Sequence, residues 1–158
     1  MSRQVLSTQA VQEFAAFAAL LRAHAATTRG FNAELVAEHG LTLSDYEVLL
    51  RLARAPEHRL RRVDLAEEVL LTPSGITRLL VGLERSGYVE RASCESDARV
   101  TYAQLTDAGL EKLREAGKSH SVSVRSVFSA RYSAEELESL CELLERLPQA
   151  DDDASCEP

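Results

Sequence analysis

The chain has no apolar run near the roughly 18 residues that a membrane-spanning helix needs. Its first residues, MSRQVLSTQAVQEF, lack the continuous apolar core of a secretory signal. Neither a spanning protein nor an exported one is expected. Cysteine is scarce: Cys94, Cys141 and Cys156 form an odd set of three without metal-ligand spacing. That excludes a disulfide-stapled mini-protein and makes reduced thiols in the cytoplasm the expectation. His24, His39, His58 and His120 show no His-x-x-x-His spacing and no accompanying cysteine pair. No metal and no cofactor is therefore expected. No Gly-rich phosphate loop, nucleophile elbow or paired-carboxylate motif is present, so the chain does not read as an enzyme. Glu67-Glu68 and the run Asp151 to Asp153 read as solvated charge.

What is present fits one domain. The chain has 158 residues, 45% apolar and 27% charged, a globular balance and not a disordered one. Arginine supplies 16 of the 18 basic side chains. The net charge of −7 is uneven: residues 1–57 carry −1, residues 58–105 carry 0, and residues 106–158 carry −6. A polyanion-binding surface is therefore to be sought in the middle segment.

Periodicity divides the chain further. Val11, Phe14, Ala18, Leu21 and Ala25 recur at helical spacing, predicting one helix over 8–38, with Phe17 and Leu20 widening the stripe. A second helix, 44–55, opens on a Ser44–Glu47 capping box and carries Tyr46, Leu49, Leu50 and Ala53 on one face. Leu60 reads as a brief strand. A short helix over 62–69 follows, its apolar set Val63, Leu65, Ala66 and Val69. Thr72-Pro73 then opens a helix that Gly87 stops, because Thr caps well and Pro suits the first helical position. These two helices form a helix-turn-helix over 62–86. Tyr88–Ala92 and Arg99–Leu105 alternate as strands around a polar loop, Ser93 to Ala98, giving a wing over 88–105. Thr106 caps a helix over 106–130 with stripe Leu110, Leu113, Gly117, His120, Val124 and Val127. Ser133 and Glu136 box a last helix, 134–147, with Leu137, Leu140, Cys141, Leu144 and Leu147. Residues 149–158 read as a disordered acidic tail.

The most informative element is the helix over 72–86. Ile76, Leu79, Leu80 and Leu83 share one face, while Ser74, Thr77, Arg78, Val81 and Arg85 turn the other way. A helix fits the B-DNA major groove, where Arg can bond guanine twice and Ser or Thr can meet bases or phosphates. Val81 can touch a thymine methyl.

The ordered run LTPSGITRLL, LERSGYVER, Asp97-x-Arg99 and LTDAG, with LTLSDYEVLLRLARAP before it, resembles the multiple-antibiotic-resistance regulator (MarR) family over residues 8–148. The resemblance implies a mainly α fold with a small β-wing. A winged helix-turn-helix lobe, 44–105, joins a helical dimerisation region built from helices 8–38, 106–130 and 134–147. It implies a cytoplasmic homodimer that binds a palindromic operator as a repressor and releases it to a small aromatic or anionic ligand. The DNA-binding residues it implies are Thr72, Ser74, Gly75, Thr77, Arg78, Val81 and Arg85, with Arg99 of the wing held by Asp97. Its ligand cleft is lined by His24, Tyr46 and Arg91. The chain departs from the family where DNA is touched: Val81-Gly82 replaces a frequent Asp-Arg, and Asp97-Ala98-Arg99 lacks one wing cation. Those departures motivate the alternative of a winged-helix protein-interaction module. Peroxide-sensing members carry a cysteine early in the first helix and urate-type members a tryptophan; neither is found here. Cys141 is expected in the core, Cys94 exposed near the wing and Cys156 in the tail.

Overall fold

The computed structural model describes residues 8–69, 71–93 and 101–147. Cys94, Asp97, Arg99, Cys156 and the acidic tail lie outside the described residues. The chain divides between Leu43 and Ser44 into two compact units.

The first unit is one helix, α1 (Thr8–His39), followed by a short turn. The helix runs unbroken through Gly30, whose missing Cβ would meet nothing within 4 Å. It ends at Gly40, where φ is +67°, a value that costs glycine little. The Gly40 N–H donates to the Val36 carbonyl at 3.0 Å. Among the described residues of this unit only Leu35 and Leu41 are buried, while the expected apolar stripe is open: Phe14 is 64% and Phe17 58% exposed.

Helix α2 (Leu43–Arg54) starts on the last residue of the first unit and belongs to the second from Ser44 on. The beginning of this helix corrects the expected Ser44–Glu47 box. Leu43 is already helical, and its N–H donates to the Asn32 carboxamide oxygen at 3.0 Å. Ser44 thus stands inside the first turn, where it cannot cap. The buried face is Val48, Leu49 and Leu52, whereas Tyr46, Leu50 and Ala53 are half-buried. A 3-10 turn, Pro56–His58, leads into β1 (Arg59–Arg61), then α3 (Arg62–Glu68). Leu65 and Ala66 of α3 are buried. Val63, expected among them, is 62% exposed. Two residues are about 200° around a helix, so Val63 points away from Leu65.

Then come α4 (Pro73–Arg85), β2 (Val89–Ser93) and β3 (Thr101–Leu105). Gly87, with φ +74°, closes α4, and the Tyr88 N–H donates to the Leu83 carbonyl at 3.0 Å. The sheet order is β1-β3-β2, antiparallel throughout, with Leu60 opposite Ala103 and Val89 opposite Leu105. This is a winged helix: α3 packs on α4 and on the sheet, and β2 follows directly from α4. The core is Leu65, Leu80, Val89, Ala103 and Leu105 together with the buried face of α2.

Helix α5 (Asp107–Ser129) opens on Thr106, whose hydroxyl accepts from the Gly109 N–H at 3.0 Å. Its buried positions are Gly109, Leu113 and Ala116; the expected Leu110, Gly117, His120, Val124 and Val127 are half-buried. Gly109 is required sterically, since a Cβ there would overlap the Tyr88 carbonyl oxygen. That same oxygen accepts from the Thr106 N–H at 3.1 Å, and the Thr106 hydroxyl donates to the Gly87 carbonyl at 2.7 Å. Helix α6 (Ala134–Glu145) begins with the expected capping box: Ser133 N–H donates to Glu136 Oε2 at 2.8 Å, and Glu136 N–H to Ser133 Oγ at 3.3 Å. No residue of α6 is buried. Cys141, expected in the core, is exposed, because among the described residues nothing covers that face of α6.

Candidate nucleic-acid interface

Helix α4 is shaped by its two faces. Ile76, Leu80 and Leu83 are buried against the lobe, each at most 3% exposed. Ser74, Thr77, Arg78 and Arg85 are exposed and Val81 is half-buried. At 100° per residue, Ser74, Arg78, Val81 and Arg85 fall within an arc of about 60°, opposite the buried side. The expected outward set is therefore brought together on one surface.

The start of this helix is built by local hydrogen bonds. Thr72 Oγ1 accepts from the Gly75 N–H at 3.1 Å and lies 3.3 Å from Ser74 Oγ. A Cβ on Gly75 would stand 3.1 Å from that same Thr72 oxygen, tight against the cap. Glycine at this position keeps the cap intact. The Thr77 hydroxyl turns inward and donates to the Pro73 carbonyl at 2.7 Å. Gly82 has nothing within 4 Å of a Cβ, so the space of the family's frequent arginine is open.

Charge pairing sorts the arginines of the lobe. Arg59 pairs with Glu57 at 2.6 Å and lies over the Tyr102 ring at 5.3 Å. Arg61 Nε donates to Asp64 at 2.7 Å, a bond that raises the Arg61 pKa further and spends its charge locally. Arg51 lies 3.9 Å from Glu68. Arg91 donates to Glu84 at 3.1 Å, tying β2 to α4. Among the described residues, Arg78 and Arg85 have no carboxylate partner, so the outer face of α4 keeps two free cations.

A side chain that sequence reading passed over is Arg62. It lines an open cleft of about 660 Å³ between α3, the start of α4 and β3, with Val63, Leu71, Pro73, Thr77 and Thr101. One of its terminal nitrogens, Nη2, is buried and has no hydrogen-bond partner among the described residues. The sequence signal was the cluster Arg59-Leu60-Arg61-Arg62, of which the first two arginines are neutralised and the last is not.

The three residues expected to line a ligand cleft stand on different elements, His24 on α1, Tyr46 on α2 and Arg91 on β2. Tyr46 on α2 stacks edge-on with His120 of α5, ring centroids 4.9 Å apart, and its hydroxyl lies 3.3 Å from where a Gly117 Cβ would be. Burial raises the Tyr46 pKa above its ordinary value, against the opposing pull of Arg54. Arg91 is exposed and engaged with Glu84. His24 belongs to the first unit, where its backbone carbonyl accepts from Thr28 at 2.6 Å. Among the described residues no group of three or more His, Cys, Asp or Glu is placed to hold a metal. No described helix is long and apolar enough to cross a membrane.

Comparison with known proteins agrees with this geometry. A family model described as MarR family matches residues 39–100. The HTH-type transcriptional repressor YetL of Bacillus subtilis is 34% identical over 115 residues, covering 70% of this chain and 68% of that protein. AbsC, a MarR family transcriptional regulator from Streptomyces coelicolor, is 30% identical with a TM-score of 0.78, covering 90% of this chain and 93% of its own. Sco3205, a MarR family regulator from the same organism solved in complex with DNA, is 28% identical with a TM-score of 0.78, covering 91% and 88%. With a winged-helix lobe, an outward α4 surface and relatives matched over most of their length, the chain belongs to the MarR family of transcriptional regulators.

Proposed function

We propose that the protein is a homodimeric repressor that reads a palindromic operator through α4 and leaves it when a small aromatic or anionic ligand binds. The observation that carries the reading is the outer face of α4, where Arg78 and Arg85 stand without carboxylate partners among the described residues, backed by a packed lobe. Arg78, about one and a half turns into the helix, is at the depth from which side chains reach base edges in the major groove. Thr72, Ser74, Gly75 and Thr77 form the mouth of that helix, and Arg99, which lies with Asp97 outside the described residues, would be the wing's contact to the minor groove or backbone, as the family resemblance implies. The DNA bound in the Sco3205 structure supports the choice of partner, and the repressor role of YetL supports repression.

Dimerisation is supported by apolar faces that the described residues of the single chain leave open. Phe14, Phe17 and Leu21 line one side of α1, and Leu143, Leu144 and Leu147 are exposed at the end of the chain's last helix. Two copies then present their α4 helices to major grooves about 10 base pairs apart, one helical turn. Release follows if the ligand favours a dimer geometry with a different spacing. Tyr46 is the side chain best suited to line that ligand's site, being half-buried with a neutral hydroxyl.

A gel shift against the DNA flanking the protein's own gene tests the reading, with sedimentation run in parallel. A discrete complex that competes poorly with scrambled duplex, formed by a dimer and dissolved by millimolar salicylate-like acids, is the expected result. Absence of any preference over scrambled DNA would replace it with the protein-interaction reading that Val81 and Gly82 motivate. A preference that no aromatic acid alters would remove ligand release alone.

A further inference from the structure

The outer face of α4 offers few hydrogen-bonding groups. Val81 has none. The Thr77 hydroxyl is already donated to the Pro73 carbonyl at 2.7 Å, which turns the threonine methyl outward from that bond. The Ser74 hydroxyl lies within 3.3 Å of Thr72 Oγ1 at the mouth of the helix. That leaves Arg78 as the directional donor in the middle of the surface. Thr77 and Val81 are four residues apart, so their side chains are neighbours, and Val81 is about 60° from Arg78 around the helix. The middle of the surface, between Ser74 at the mouth and Arg85 at the far end, is thus one guanidinium beside two methyl-bearing side chains.

From this we infer that Thr77 and Val81 read thymine by its 5-methyl group, next to the base that Arg78 contacts. The inference rests on the operator-binding reading above. Thymine is the base whose major-groove edge carries a methyl, and apolar side chains, the threonine methyl among them, pack against it. Cytosine beside Val81 would set its amino donor against a side chain that cannot accept it, and cytosine beside Thr77 would meet the methyl in place of the hydroxyl. An unpaired, desolvated donor is disfavoured. The frequent aspartate of the family at the position of Val81 has the opposite character, an acceptor, so the bases preferred here differ from those of relatives that carry it.

The test begins with selection of a binding site from random duplexes by the full-length protein. Each thymine of the selected half-site is then replaced by deoxyuridine, which keeps base pairing and removes only the methyl. At one or two thymines per half-site, affinity is expected to fall about fourfold, the factor for burying one methyl group. Val81→Ala should lose that sensitivity at one position while still binding. Thr77→Val should retain the sensitivity at its neighbour, and Thr77→Ser, which keeps the hydroxyl, should lose it. A selected site at which no deoxyuridine weakens binding overturns the inference and leaves the operator reading standing. Thr77→Ser behaving as wild type while Thr77→Val fails would assign the contact to the hydroxyl and overturn it too. If selection enriches no sequence, the operator reading itself fails and takes this inference with it.

Discussion

Arg78→Ala separates reading from mere attraction. Arg78 is exposed and unpaired among the described residues, so its truncation leaves no orphaned charge inside the protein. Alanine is also the better helix former. Folding stability should therefore stay within about 0.5 kcal/mol of wild type. A bidentate contact to guanine is worth about 1–3 kcal/mol of discrimination. A two-fold dimer makes the contact twice, for about 2–6 kcal/mol on a palindrome. At about 1.4 kcal/mol per factor of ten, the operator weakens between about 30-fold and about 20,000-fold. Scrambled duplex loses only the general attraction of one cation per subunit, and its affinity falls far less. Arg78→Lys sharpens the contrast. It keeps the charge and loses the planar fork, so scrambled DNA should bind almost as before while the operator does not. The assay is fluorescence anisotropy on both duplexes across a salt series, with the operator-to-scrambled ratio as the readout. An unchanged ratio in Arg78→Ala, or a lysine that preserves it, would refute the assignment of α4 as the reading helix.

Four other outcomes are expected. Gly109→Ala drives a Cβ into the Tyr88 carbonyl oxygen, so chemical denaturation should show a loss of about 1–3 kcal/mol or more. Gly82→Ala meets open space in a helix and should stabilise by up to about 1 kcal/mol in the same assay. Tyr46 holds its proton more tightly folded than unfolded, so its contribution is intact below its ordinary value near 10 and is lost as pH rises above it. Tyr46→Phe should flatten that alkaline slope in thermal melts recorded against pH, and an unchanged slope would show that other groups set it. Phe14→Asp with Phe17→Asp places charge on an open apolar stripe of α1, and sedimentation should then show monomer where wild type shows dimer; a dimer that survives both would move the interface elsewhere.

Much of the fold was legible because its signals are local. Thr72, Thr106 and Ser133 each cap a helix through an N–H three residues on, and such bonds need no knowledge of the rest of the chain. Gly87 ends α4 for the same local reason. The failures arose where distant groups decide. Asn32, eleven residues upstream, meets the N–H of Leu43, and the helix starts there, one residue before Ser44. Val63 is apolar by type, yet Leu65 and Ala66 set the inward direction of a helix too short for two faces. In α5 the buried positions include Gly109 and Ala116, small residues chosen for close approach, which a search for large apolar side chains passes over. Cys141 lies on a stripe that is apolar by composition and uncovered in the single chain. Of the candidate site, the outward face of α4 followed from helical spacing alone. The state of its hydroxyls did not, since the bond from Thr77 to Pro73 and the unpartnered nitrogen of Arg62 are facts of three-dimensional placement.

The junction at Tyr88 has a mechanical consequence. Its carbonyl oxygen is bonded by the Thr106 N–H and pressed by the backbone of Gly109, while the Thr106 hydroxyl grips Gly87 from the other side. The root of the wing and the first turn of α5 are thereby joined, as at a weld, by two hydrogen bonds and a backbone approach too close for a Cβ, which resist a rotation between them. A helix of 23 residues is about 34 Å long. Held rigidly at one end, it acts as a lever: a tilt of about 5° at the weld swings the far end by about 3 Å, given that length. Displacements applied along the shaft of α5 are returned to the hairpin as rotation, scaled down by the same arm.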